Sequence, residues 1–235
     1  MDNYVDMLLS GNPDTDEIIR QFYLFPLSDD ELRALPDEEK RTYSEKMVQI
    51  LCDTSADHIL EIIESHPDDW RSVISIEIPQ YSSTDDIDNI LGVVESNPGG
   101  DHTLFGYFFN KSGKKDAQRK YGENHYRTAA LLGLTTFDKP FAVTPLGREY
   151  MKLPDKTRHA VRSKLILKIP FLQQILISAK SGKTEFMPII GQYLSDVTCV
   201  RRRSSTKNLF TEACKELSYG STLLKNMDWY TTYAK

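Results

Sequence analysis

The chain has 235 residues, 40% of them apolar and 27% charged, an ordinary balance for a globular protein and far from that of a disordered or fibrous one. Its net charge of −5 hides an asymmetry: residues 1–100 carry 6 Lys and Arg against 23 Asp and Glu, whereas residues 101–235 carry 23 against 11. Three scattered cysteines exclude a disulfide framework, and no CxxC or HxxxH spacing offers zinc a site.

No apolar run reaches the ~18 residues of a membrane span, and the acidic start lacks a signal peptide's basic and apolar regions. The expectation is a cytoplasmic protein with no membrane partner and no cofactor. A basic half joined to an acidic half is what a nucleic-acid-binding part fused to an acidic part would show.

In chain order, Tyr4 to Leu9, Thr15 to Phe22, Asp29 to Leu35, Glu38 to Leu51 and Ala56 to Ser65 read as five short helices. They are punctuated by Gly11-Asn12-Pro13, Phe25-Pro26 and Leu35-Pro36. Residues 1–66 form an acidic helical domain with no visible chemistry, whose surface would suit a protein partner. Ser72 to Ile78 alternates as Ile74, Ile76, Ile78 and predicts a strand. Ser83 then opens a helix with Ile87, Ile90, Leu91 and Val94 at i, i+3, i+4 and i+7, and Thr103 to Phe109 makes another.

Arg119 to Leu132 is a helix with Tyr126, Ala129 and Ala130 inward, capped by Gly133. Its outward face presents Arg119, Lys120, Asn124 and Arg127, cations and amides together, as a DNA groove requires. Leu134 to Phe137 and Phe141 to Val143 predict a hairpin whose tip carries Lys139, and Thr144-Pro145 restarts a helix. Residues 72–153 thus follow the strand–helix–helix–helix–hairpin order of a winged helix. Two connecting helices follow over residues 154–180, the first basic on one side through Arg158, Arg162, Lys164 and Lys168.

Residues 181–235 repeat a helix-turn-helix order, with a helix reaching Leu194 and a final helix that buries Leu209, Phe210, Ala213 and Leu217. Arg201, Arg202 and Arg203 stand just before a Ser204-Ser205 N-cap, and Lys207 points outward. The fold expected is mainly α with small β-hairpin wings: the acidic domain followed by a tandem winged-helix region. The residues expected at DNA are Lys114, Lys115, Arg119, Lys120, Asn124, Arg127, Lys139, Arg201, Arg202, Arg203 and Lys207.

The segments HYRTAALLGLTTFDKPFAVTPLGREYMKL and SDVTCVRRRSSTKNLFTEACKEL resemble the tandem winged-helix modules of type II restriction endonucleases and related restriction–modification proteins, over about residues 76–217. Arg202, Arg203, Ser205 and Thr206 match the family's Arg-Arg-x-Ser-Thr segment. VTPLG stands in place of LT-x-LG, and Phe210 and Cys214 replace an aromatic-rich end to the last helix. The resemblance implies recognition of a DNA target.

No catalytic constellation accompanies it. A metal-dependent nuclease of that kind needs Glu-x-Lys after a strand, and Glu77-Ile78-Pro79 has Pro in the Lys position. Gly182-Lys183-Thr184 lacks the earlier glycine of a phosphate loop, because Ile177 stands there, and the five histidines are dispersed. The expected function is therefore non-catalytic duplex-DNA binding in a restriction or defence system. A transcriptional regulator or a protein-interaction adaptor are the alternatives.

Overall fold

The computed structural model of the chain describes residues 4–10, 13–80 and 83–229. Five helices open it: α1 (Tyr4–Leu9), α2 (Thr15–Leu24), α3 (Asp29–Ala34), α4 (Asp37–Asp53) and α5 (Ala56–Ser65). Their starts follow from local chemistry. The Asp14 carboxylate accepts from the Glu17 N–H, Ser28 and Glu31 close a reciprocal capping box, and Ser55 Oγ accepts from the His58 N–H at 3.1 Å. Of the first turn read from Gly11-Asn12-Pro13, only Pro13 lies among the described residues.

Next come α6 (Thr84–Glu95), α7 (His102–Phe109) and α8 (Lys115–Leu131). Helices α7 and α8 pack backbone to backbone, because Gly106 and Gly122 lie at their crossing. A Cβ on Gly122 would stand 1.9 Å from the His102 carbonyl oxygen, and one on Gly106 would stand 1.7 Å from that of Gln118. The remainder is helical too: α9 (Pro145–Met151), α10 (Asp155–Ile166), α11 (Pro170–Ser181), α12 (Phe186–Ile190), α13 (Asp196–Cys214) and α14 (Gly220–Asn226). Thr144 caps α9 by accepting from the Gly147 N–H at 3.0 Å, with Pro145 at the first helical position.

No β-strand occurs among the described residues, so the expected β-hairpin wings are corrected, and with them the winged-helix architecture; the mainly α character stands. Where the first hairpin was expected, Thr135 and Val143 form a single antiparallel bridge. Side chains take the backbone groups that a longer ladder would need: the Ala142 N–H donates to Tyr126 Oη at 3.0 Å, and Thr136 Oγ1 donates to the Pro140 carbonyl at 3.1 Å. The tip is also docked, since the Asp138 N–H donates to Asp29 of α3 at 2.8 Å.

The strand expected over Ser72–Ile78 is instead a turn of 3₁₀ helix at Ser75–Glu77. Ile78 is buried while Ile74 and Ile76 stay exposed, and no second strand lies beside them. A helix reaching Leu194 is likewise shortened, α12 ending at Ile190 with turns beyond.

One buried apolar cluster runs from Tyr4 to Trp229 and draws on residues of every segment from the acidic helices to the C-terminal ones. Helix α10 binds the acidic helices to the basic half. Of the basic side read there, Arg162 and Lys164 on α10 and Lys168 just past its end are buried, while Arg158 is half-buried against Asp88 and Asp155. The Lys164 ammonium donates to the Leu51 carbonyl at 2.7 Å, at the C-terminal end of α4. That of Lys168 donates to the Phe22 carbonyl at 3.3 Å, in the last turn of α2, and lies 3.5 Å from the centre of the Phe22 ring. Unpaired carbonyls carry negative partial charge at a helix's C-terminal end, so each cation caps one.

Burial, with Arg71 nearby, pulls the Lys168 ammonium from its ordinary 10.5 down to about 7. Between those values the unfolded chain binds a proton that the folded chain does not, so this group makes stability rise with pH there. His58, held up by its hydrogen bond to Asp16, opposes this rise just above pH 6.5, whereas buried Lys164 adds to it. The Cys52 and Cys214 thiols, pushed up by burial, oppose it above their ordinary 9, so the comparison with a Lys168 variant isolates this amine. Urea titrations of the wild type at pH 6.5 and 8.5 should show a gain of about 2 kcal/mol from this amine, taking ~1.4 kcal/mol for each tenfold change in proton affinity. Lys168→Met should lose that gain; equal slopes in the two proteins would show that Lys168 does not titrate in the interval.

Candidate nucleic-acid interface

Apart from Lys139 in the turn before α9, the basic residues singled out in the sequence belong to α8, with Lys114 at its N-cap, and to α13, helices whose sequence positions are far apart. The spacing of Arg119, Glu123 and Arg127 places them on one stripe of α8. Glu123 sits between the two arginines, 3.6 Å from Arg119 and 2.9 Å from Arg127. Lys114, Lys115 and Lys120 are exposed along the first half of the helix, and Asn124 is half-buried one turn before Thr128.

The three arginines of the C-terminal motif lie inside α13, not ahead of it. Ser195 occupies the N-cap position and the helix runs unbroken through Arg201–Arg203 and Ser204–Ser205, which corrects the expected cap at Ser204. No glycine or proline interrupts Asp196–Cys214, and the serines there are tolerated mid-helix at small cost. Inside a helix the triplet fans out by about 100° per residue, so its members do different things. Arg201 is exposed and Arg203 half-buried, while Arg202 folds back toward α8 and donates through Nη1 to the Ile78 carbonyl.

That fold-back creates a cleft of about 230 Å³ between the two helices, where Lys120, Asn124, Arg127 and Arg202 meet over the Ile78–Gln80 backbone. Four of the sequence-derived residues thus come together in one place. The guanidiniums of Arg127 and Arg202 are close enough to repel: burial, and then Arg127, lower the affinity of Arg202 for its proton. Its Nε is buried with no partner among the described residues. Glu123 lines the same cleft and pairs with Arg127 at 2.9 Å, which leaves Arg202 as the guanidinium without a carboxylate there; a phosphate has the charge and the acceptors to meet it. Gln80 also lines the cleft, a loop residue that no periodic pattern marks.

The remaining expected residues lie around this centre or apart from it. Lys139 is exposed on the docked tip and lies 5.7 Å from the Phe141 ring centre. Burial lowers the His102 imidazole's affinity for its proton; Glu123 and Asp101 oppose this, while Arg127 and Lys139 add to it. Lys207 is half-buried farther along α13. Among the described residues, Lys114, Lys115, Lys120, Arg201 and Arg203 make no ion pair.

The acidic helices do not neutralise this face. Their polar links to the basic half include Glu64 with Lys180, Asp57 with the Ser218 N–H, Asp29 with the Asp138 N–H and Tyr23 Oη with the Lys164 carbonyl, together with the two capping lysines. No helix among the described residues is long and apolar enough to cross a membrane. No protein-family model, curated protein or solved structure matches the chain.

Proposed function

We propose that this chain is a non-catalytic duplex-DNA-binding protein that acts in the cytoplasm as a recognition or accessory component of a restriction or defence system. The carrying observation is the convergence of Arg127 and Arg202 in one cleft, flanked by the unpaired cations of α8 and α13. Phosphate contacts from such groups supply affinity without sequence information and fix the protein's register on the duplex. The restriction or defence setting rests on the resemblance of the two quoted segments. The acidic helices supply a second surface, on which Asp30 and Asp37 stand almost fully in solvent, suited to a basic protein partner.

Titrating the full chain with a labelled duplex over a series of salt concentrations tests the reading. With about five phosphates neutralised, log K should fall against log salt with a slope of roughly −4 to −5. No binding even at low salt would remove DNA from the function, and binding with a flat response would remove the phosphate contacts.

A further inference from the structure

Helix α13 turns a second face to solvent beside the cleft. Val197, Val200, Arg201 and Ser204 fall at i, i+3, i+4 and i+7, one stripe along its first half, and all four are exposed. The valines are 66% and 67% exposed, more than any other large apolar side chain among the described residues. Neither packs against the chain's own core, although Cys199 between them is fully buried.

We propose that this stripe enters the major groove of duplex DNA and reads base edges, with Val197 and Val200 against thymine methyl groups. The inference rests on the DNA-binding reading above and adds to it which residues specify sequence. Three observations point to that occupant. Arg201 lies on the stripe itself and Arg203 to one side of it, while Arg202 faces away into the cleft, so the exposed charge along this side is positive. The one acid of its first turn is Asp196, and the only acid later in the helix, Glu212, is buried and paired with Arg162 and Lys215. The first half of α13, following α12 and a turn, keeps this side exposed, as a helix-turn-helix requires of the helix it presents.

In the major groove only thymine offers a methyl group, so an exposed aliphatic side chain held there distinguishes T·A from the other pairs. Arginine on the same stripe takes guanine O6 and N7, or a phosphate.

The test uses the full chain and a pool of labelled duplexes with a randomised centre. The wild type should enrich sites containing thymine at fixed positions. Replacing one such thymine with uracil removes only the methyl group and should weaken binding about fourfold, which corresponds to ~0.8 kcal/mol for a methylene-sized apolar contact. Val197→Ser and Val200→Ser should keep overall affinity within a few-fold, yet bind the thymine and uracil duplexes equally at the position each side chain faces. Because both sites are exposed, the variants should retain the wild-type circular dichroism.

Binding without enrichment, or unchanged thymine-to-uracil discrimination in both variants, would overturn the inference and leave the DNA-binding reading intact. Absence of any duplex binding by the wild type would overturn both.

Discussion

Glu212→Ala should lower the stability of the protein by about 3–5 kcal/mol, the typical cost of leaving a buried charge without its partner. Glu212 on α13 and Arg162 on α10 are both almost wholly out of solvent and meet at 3.2 Å. The same guanidinium donates to Asp88 of α6 at 3.0 Å, and Asp88 also accepts from Tyr150 of α9 at 2.6 Å and from Arg158 at 3.2 Å. Four helices are thus tied through Arg162 and Asp88 together, and the Arg162 Nε has no partner among the described residues, so losing either carboxylate leaves Arg162 further under-satisfied.

Chemical denaturation followed by circular dichroism measures the loss. The double variant Glu212→Ala/Arg162→Met should recover most of it, since removing both charges abolishes the desolvation cost of each. Although burial would raise the Glu212 carboxyl, Lys215 and Arg162 hold it below the usual carboxylate range. Its contribution is therefore complete at neutral pH and is lost as pH falls through its folded value. A loss below about 1 kcal/mol, the level of an exposed pair, would show that the network does not fix α13.

What the sequence made legible follows from which forces are local. The acidic helices are readable because their ends are written in single residues: Ser28 with Glu31, Ser55 before His58, and prolines at positions 26 and 36. Thr144-Pro145 and the inward Tyr126, Ala129 and Ala130 are legible for the same reason, as is the inward stripe of Leu209, Phe210 and Ala213.

The errors arise where distant groups decide. Alternating Ile74, Ile76 and Ile78 suggest a strand, yet a strand exists only with a neighbour, and none comes. The hairpin does not form because Tyr126, from the helix before it, takes the Ala142 N–H. Lys164 and Lys168 resemble a solvated face because nothing in the local sequence announces that the C-terminal ends of α2 and α4 will arrive there. Within the site, the right residue types are legible, but not their arrangement. Reading Ser204 as a cap places three arginines in a loop, whereas continuing the helix gives one to solvent and turns another into the cleft with Arg127.

That arrangement makes Arg127 and Arg202 the cations whose loss should cost the most binding. Arg127→Ala and Arg202→Ala should each weaken the affinity for any duplex by roughly tenfold or more, taking ~1.5–3 kcal/mol for a charge-assisted hydrogen bond, and each should flatten the salt slope by about one unit. If α8 enters the groove, Arg127→Ala should in addition shift sequence preference, because Asn124 beside it can pair with adenine only when the helix is held in register.

Arg202 also donates to the Ile78 carbonyl, so Arg202→Lys, which keeps the charge but not the fork, separates the two roles. It should retain the salt slope while losing part of the affinity. The two alanine variants combined should lose less than the sum of their separate effects, since both guanidiniums address one anion and removing either relieves the repulsion on the other. Arg148 and Lys152 are exposed cations paired with Glu95 and Glu149 on α9's side of the molecule, and alanine there should change neither affinity nor slope appreciably. Equal losses from all four positions would mean that DNA senses only the overall charge, and that the cleft between α8 and α13 is not where the phosphate sits.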